Sequence, residues 1–114
     1  MNLRVLACCV LAGLAAPASA HALLDHAKPG AGAVLHAPPA SVTLLFSDDL
    51  DPESTVAVVD GSGHSVATGR VTVTGNCIMA PLRPLRPGKY RVVWHAVSMD
   101  EHRTQGAYEF AVKP

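Results

Sequence analysis

Asp100 and His102 are separated by a single residue. In extended chain, side chains two apart project to the same side, so this pair can bring one carboxylate oxygen and one imidazole nitrogen to a single ion. A second set of donors lies far away in the chain, at His21, which directly follows Ala18-Ser19-Ala20. If processing leaves His21 first, its α-amine and ring Nδ1 can close a chelate ring on one metal. α-Amines ordinarily titrate near about 7.7–8.0 and imidazoles near about 6.5, so a metal can displace both protons around neutral pH. The two elements together supply three nitrogens and one carboxylate oxygen, a set that suits the tetragonal geometry of Cu(II). Taken singly, each has an ordinary reading: a histidine left by chance at a cleavage site, and a polar turn.

The other candidate ligands carry less. His26, His36 and His64 sit in turn-like contexts and read as solvated, and His95 alternates away from Trp94 and should face outward; weak accessory copper binding is the competing role. Asp49, Asp51 and Glu53 form an acidic loop after Phe46, but the spacing of a calcium-binding EF-hand loop is missing. Cys77 reads as a small buried hydrophobe, with a soft metal ligand as the alternative.

The first twenty residues explain how His21 could become a terminus. Asn2 to Arg4 give a short basic start, Val5 to Leu14 are almost unbroken apolar chain, and Ala18 and Ala20 form an A-x-A pattern. This pattern reads as a cleavable export signal, since about ten apolar residues are too few to span a bilayer core. The expected division is therefore 1–20 as signal peptide and 21–114 as one exported domain. Cys8 and Cys9 leave with the signal, so Cys77 alone remains and an internal disulfide is excluded. The mature chain keeps eight basic and nine acidic residues, a net charge of −1 with histidines neutral. No basic patch points to nucleic acid.

Short apolar runs punctuated by proline, glycine and aspartate must position these residues, the pattern of a sandwich or barrel. Ser41 to Ser47 alternates, with Val42, Leu44 and Phe46 on one face. Thr55 to Asp60 is β-branched and ends at the Gly61-Ser62-Gly63 turn. Arg70 to Thr74 turns Val71 and Val73 inward. Lys89 to Ser98 places Tyr90, Val92 and Trp94 on one face, and Gly106 to Lys113 closes the domain, its strand beginning at Ala107. Prolines interrupt most windows in which a helix could start. The expected fold is all-β: a small Greek-key antiparallel sandwich or barrel, immunoglobulin-like or cupredoxin-like, of about seven strands. Tyr90, Trp94, Tyr108 and Phe110 are expected in its core.

Several blocks in order resemble the CopC family of periplasmic copper-binding proteins along nearly the whole mature chain. His21-Ala22-Leu23-Leu24 followed by Lys28-Pro29-Gly30-Ala31-Gly32-Ala33 resembles that family's H-A-x-L-x-x-S-x-P-A-x-G-A start. Val42 to Ser47 resembles V-x-L-x-F-S, and Leu85 to Trp94 resembles L-x-P-G-x-Y-x-V-x-W. Ser98-Met99-Asp100-Glu101-His102, with Gly106 and Phe110, resembles S-x-D-G-H followed by G-x-x-x-F. The resemblance implies His21, Asp100 and His102 as Cu(II) ligands, with Asp48 at a position where some members place a weaker carboxylate. It also implies one Cu(II) per chain and a membrane copper-transport partner of the CopD-like kind. Three departures stand out. Glu101 replaces a glycine, so left-handed backbone there is costlier; Ala27 replaces a serine; and the mature chain has only Met79 and Met99, without the methionine-rich loop of members that hold Cu(I) separately.

The expected function is Cu(II) sequestration or carriage in the periplasm, without catalysis. Two other classes fit in part. Copper oxygenases that cleave polysaccharides also use an N-terminal histidine chelate, but they are larger and expose an aromatic substrate face. A metal-free immunoglobulin-like interaction module would need only the fold.

Overall fold

The computed structural model describes residues 22–114; the expected signal peptide and His21 lie outside the described residues. Eight strands follow in order: β1 Leu24–Lys28, β2 Val34–Leu35, β3 Ser41–Phe46, β4 Thr55–Val59, β5 Thr72–Thr74, β6 Cys77–Pro81, β7 Gly88–Val97 and β8 Arg103–Val112. They form two four-stranded sheets, ordered β1-β3-β6-β5 and β2-β8-β7-β4. Pairing of β3 with β6 and of β4 with β7 joins strands distant in sequence, as Greek-key connections do. The chain is the all-β sandwich expected from its alternation.

The period-two pattern fills the space between the sheets. Val42, Leu44 and Phe46 of β3 and Ile78 and Ala80 of β6 face Val56 and Val58 of β4 and Tyr90, Val92, Trp94 and Ala96 of β7, all buried. Two aromatic contacts fix the packing. Phe46 of one sheet meets Trp94 of the other edge to face, centroids 5.1 Å apart at 74°. Tyr90 and Phe110, partners across β7 and β8, stack at 5.4 Å. Both arrangements lie within the preferred range for aromatic pairs. Gly106 is opposite Trp94, and a Cβ there would come within 2.5 Å of the indole, so only glycine leaves room for the ring.

Several expectations need correction. The last strand starts at Arg103, not Ala107: β7 and β8 pair without interruption from Gly88↔Val112 to Val97↔Arg103, and hairpin pairing carries the polar residues Arg103 to Gln105 into the ladder. β2 runs parallel to β8, so the sheets are not wholly antiparallel. Alternation in the sequence does not reveal β1, β2 or β6. β1 contains a bulge between Leu24 and His26 that breaks its alternation, β2 is two residues long, and β6 is apolar on both faces. His26 therefore lies in a strand and not in a turn, though it is exposed. Cys77 is half-buried, because it alternates with the inward Ile78. Tyr108 is also only half-buried. Its hydroxyl donates to the Pro29 carbonyl at 2.8 Å, and burial pushes the phenol up to about 12.

Candidate metal centre

The β7–β8 hairpin ends in a five-residue loop, Ser98 to His102. Ser98 organises it. The Ser98 amide donates to the His102 carbonyl at 2.9 Å, the Glu101 amide donates to the Ser98 carbonyl at 2.8 Å, and the His102 amide reaches Ser98 Oγ at 3.2 Å. Ser98 is buried, yet its hydroxyl turns outward to donate to Asp100 Oδ1. Closing the loop requires a left-handed residue, and Glu101 has φ 70°. A non-glycine residue there costs about 1 kcal/mol. The sequence had marked this position as the one where such geometry would be expensive.

The loop brings Asp100 and His102 together, with His102 Nδ1 3.1 Å from Asp100 Oδ2. Their side chains are 46% and 54% exposed, open enough for an ion to reach both. The Ser98 hydroxyl, followed by the His102 imidazole, holds the Asp100 carboxyl below the usual carboxylate range. Asp100 is therefore a charged oxygen at neutral pH. The spacing suits two adjacent ligands: bonds of about 2.0–2.1 Å at right angles would hold the donor atoms about 2.9 Å apart.

Asp48 follows β3 on the neighbouring loop. Asp48 and Asp49 share the walls of an open depression with Ser98, Met99 and Asp100. That loop is tied to the end of β7: the Asp51 amide donates to the Val97 carbonyl at 2.7 Å, and Ser54 Oγ accepts from the Val97 amide at 2.9 Å. Glu53 faces Arg103 at 3.4 Å, and Asp51 Oδ1 caps the Glu53 amide, so these two acidic residues are engaged in local contacts. Among the described residues, no three His, Cys, Asp or Glu side chains converge. Asp100 and His102 stand as a two-donor pair.

The chain entering β1 passes the same end of the sandwich. Ala22 is buried, and its carbonyl accepts from Thr104 Oγ1 at 2.8 Å. Thr104, the second residue of β8, lies two residues after His102. Leu23 is bound on its other side to Ser47, its amide donating to Ser47 Oγ at 2.9 Å and its carbonyl accepting from the Ser47 amide at 2.8 Å. The remaining histidines stand apart: His95 is exposed on β7, His36 is exposed, and His64 lies 4.0 Å from Asp60 at a distant turn. Ser98, Thr104 and Ser47 were not singled out from sequence. The usable signal was spacing, a hydroxyl two residues before Asp100 and another two after His102.

Comparison with known proteins places the chain in a family. The family model described as "CopC domain" matches residues 24–113. Protein YobA of Escherichia coli K12 is 36% identical over 99 residues, covering 82% of this chain and 80% of its own. Copper resistance protein C of Pseudomonas syringae pv. tomato is 33% identical over 110 residues, covering 88% and 86%. The crystal structure of PcoC, a methionine-rich copper resistance protein from Escherichia coli, superposes with a TM-score of 0.73 at 31% identity, covering 82% of this chain and all of PcoC. By sequence and by fold, the chain belongs to the CopC domain family.

Proposed function

We propose that the chain is an exported periplasmic protein, cleaved to begin at His21, that sequesters or carries one Cu(II) ion in copper homeostasis or resistance. The observation that carries this reading is the Asp100–His102 pair at 3.1 Å, beside an N-terminal arm tied down at Ala22. The segment that begins at Ala22 is anchored to Thr104, two residues after His102. The α-amine and ring nitrogen of His21 would join the His102 imidazole and the Asp100 carboxylate to make three nitrogens and one charged oxygen. Such a set favours Cu(II), which already tops the divalent affinity order. Asp48, on the rim of the same depression, is a weaker additional carboxylate.

Relatives carry the name copper resistance protein C, which supports copper as the cargo. PcoC is described as methionine-rich, whereas only Met79 and Met99 follow residue 20 here. This favours a single Cu(II) site without a separate thioether site for Cu(I). Burial of Tyr90, Trp94 and Phe110 supports a binding protein over a polysaccharide oxygenase, which needs aromatic rings on its surface. A membrane copper-transport partner of the CopD-like kind would receive or supply the ion.

The test is a Cu(II) titration of protein exported and processed in cells, with the mass of its N-terminus measured in the same sample. One tight equivalent, retained against excess Zn(II), on a chain starting at His21 is expected. Two tight equivalents, or zinc competing at parity, would overturn the reading.

A further inference from the structure

We propose that Thr104 and Ser47 are positioning residues for the metal site, holding the arm that carries His21 in place before any ion arrives. The inference rests on the reading of His21 as a ligand and adds what makes that ligand available. Ahead of β1 the arm has little apolar anchorage. Leu23 leaves 54% of its surface in solvent, and only the small side chain of Ala22 is buried. Three hydrogen bonds hold this stretch instead: Thr104 Oγ1 to the Ala22 carbonyl at 2.8 Å, the Leu23 amide to Ser47 Oγ at 2.9 Å, and the Ser47 amide to the Leu23 carbonyl at 2.8 Å. Two of the three depend on a side-chain hydroxyl.

The two hydroxyls come from opposite sheets. Ser47 directly follows β3, while Thr104 belongs to β8. The arm thus spans the open end of the sandwich where the Ser98–His102 loop sits. Thr104 is the second residue of β8 and follows His102 by two, so one short stretch of chain both presents a donor and fixes the arm beside it. Without the clamp, an ion would find the arm docked only part of the time. Apparent affinity falls in proportion to the docked fraction, so a fraction reduced to between about a third and a tenth weakens binding about three- to tenfold.

The experiment uses the processed protein and three variants. Thr104→Val keeps the side-chain shape but removes the donor, Thr104→Ser restores it, and Ser47→Ala removes the second hydroxyl independently. Cu(II) affinity is measured by competition titration, and exchange of the Leu23 amide is followed in the metal-free protein. Thr104→Val is expected to bind Cu(II) about three- to tenfold more weakly and to exchange the Leu23 amide faster. Its electron paramagnetic resonance spectrum at saturation should match the parent, because the donor atoms are unchanged. Thr104→Ser should recover affinity, and if Thr104→Val does not fold, Ser47→Ala supplies the same comparison. Affinity within twofold of the parent for Thr104→Val, or Thr104→Ser as weak as Thr104→Val, would overturn the proposal. A form with one extra residue before His21 runs alongside. If it loses copper while the hydroxyl variants do not, the clamp alone is wrong. If it binds as tightly as the parent, the reading of His21 as a ligand fails, and the clamp with it.

Discussion

Substituting Gly106 by alanine should destabilise the protein by about 2 kcal/mol. An ideal Cβ on Gly106 would sit 2.5 Å from Trp94 Cζ2, 2.7 Å from Cε2 and 3.0 Å from Nε1. Carbon atoms in contact prefer about 3.5–4.0 Å, so the overlap with Cζ2 is an ångström or more. The indole cannot easily retreat, because it is buried in the core and held in an edge-to-face pair with Phe46 at 5.1 Å. Overpacking of this kind costs about 1–3 kcal/mol, and disturbing an aromatic pair adds about 0.5–1.5 kcal/mol. Alanine restricts the unfolded chain more than glycine does, which returns about 0.4–1 kcal/mol. The net is about 2 kcal/mol, or a midpoint lowered by about 8–16 °C for a domain of this size. Trp94 is the sole tryptophan, so its emission reports both the melt and the displaced ring. Gly61→Ala is the control, since a Cβ there meets nothing within 4 Å. Equal midpoints for the two variants would refute the steric argument.

Other outcomes can be checked with the same protein. Glu101→Gly should be more stable than Glu101→Ala by about 1 kcal/mol in urea unfolding, because both remove the carboxylate but only glycine relieves the left-handed backbone at φ 70°. Copper affinity should fall steeply below about pH 6, where an α-amine and two imidazoles must all release protons to bind; an affinity unchanged between about pH 7.5 and 5 would exclude nitrogen ligands. Asp100 takes no part in that window. Its carboxyl is held below the ordinary 3.8, mainly by the Ser98 hydroxyl. A depressed folded-state value means a contribution to stability that is intact above the unfolded-state value and lost only as pH drops through the folded one, so carboxyl-resonance titration should give Asp100 a lower midpoint in the folded protein than in the urea-unfolded chain. His102→Ala should weaken Cu(II) far more than His95→Ala, with Asp100→Asn in between; a larger loss for His95→Ala would move the site off the hairpin loop.

Much of the fold was legible wherever burial alternates along a strand. Val42, Leu44 and Phe46, and Tyr90, Val92 and Trp94, carry a period-two signal because one face of each strand meets the core and the other meets water or a half-exposed surface. That signal vanishes where pairing is set by something else. Arg103 to Gln105 are polar on both faces and join the sheet because the hairpin loop delivers them opposite Val97 to His95. β1 slips by a bulge, and β6 has apolar residues on both sides, so neither shows an alternation. At the site, the spacing of Asp100 and His102 and the oddity of Glu101 were readable, because both depend on chain-local geometry. The contacts of Ser98, Ser47 and Thr104 were not. A hydroxyl's partner is chosen by tertiary approach, as the Thr104–Ala22 bond shows by joining opposite ends of the described chain.

Whether His21 binds copper through its own terminus is decided by adding a single residue in front of it. Protein carrying one extra residue before His21 keeps the ring, the Asp100–His102 pair and the fold, but the α-amine becomes an amide nitrogen, a poor ligand near neutral pH. Competition titration and electron paramagnetic resonance on the extended and processed forms compare one donor atom. Loss of most tight Cu(II) binding in the extended form, with a changed spectrum and an unchanged melting midpoint, is the predicted result; equal affinities and identical spectra would contradict the account.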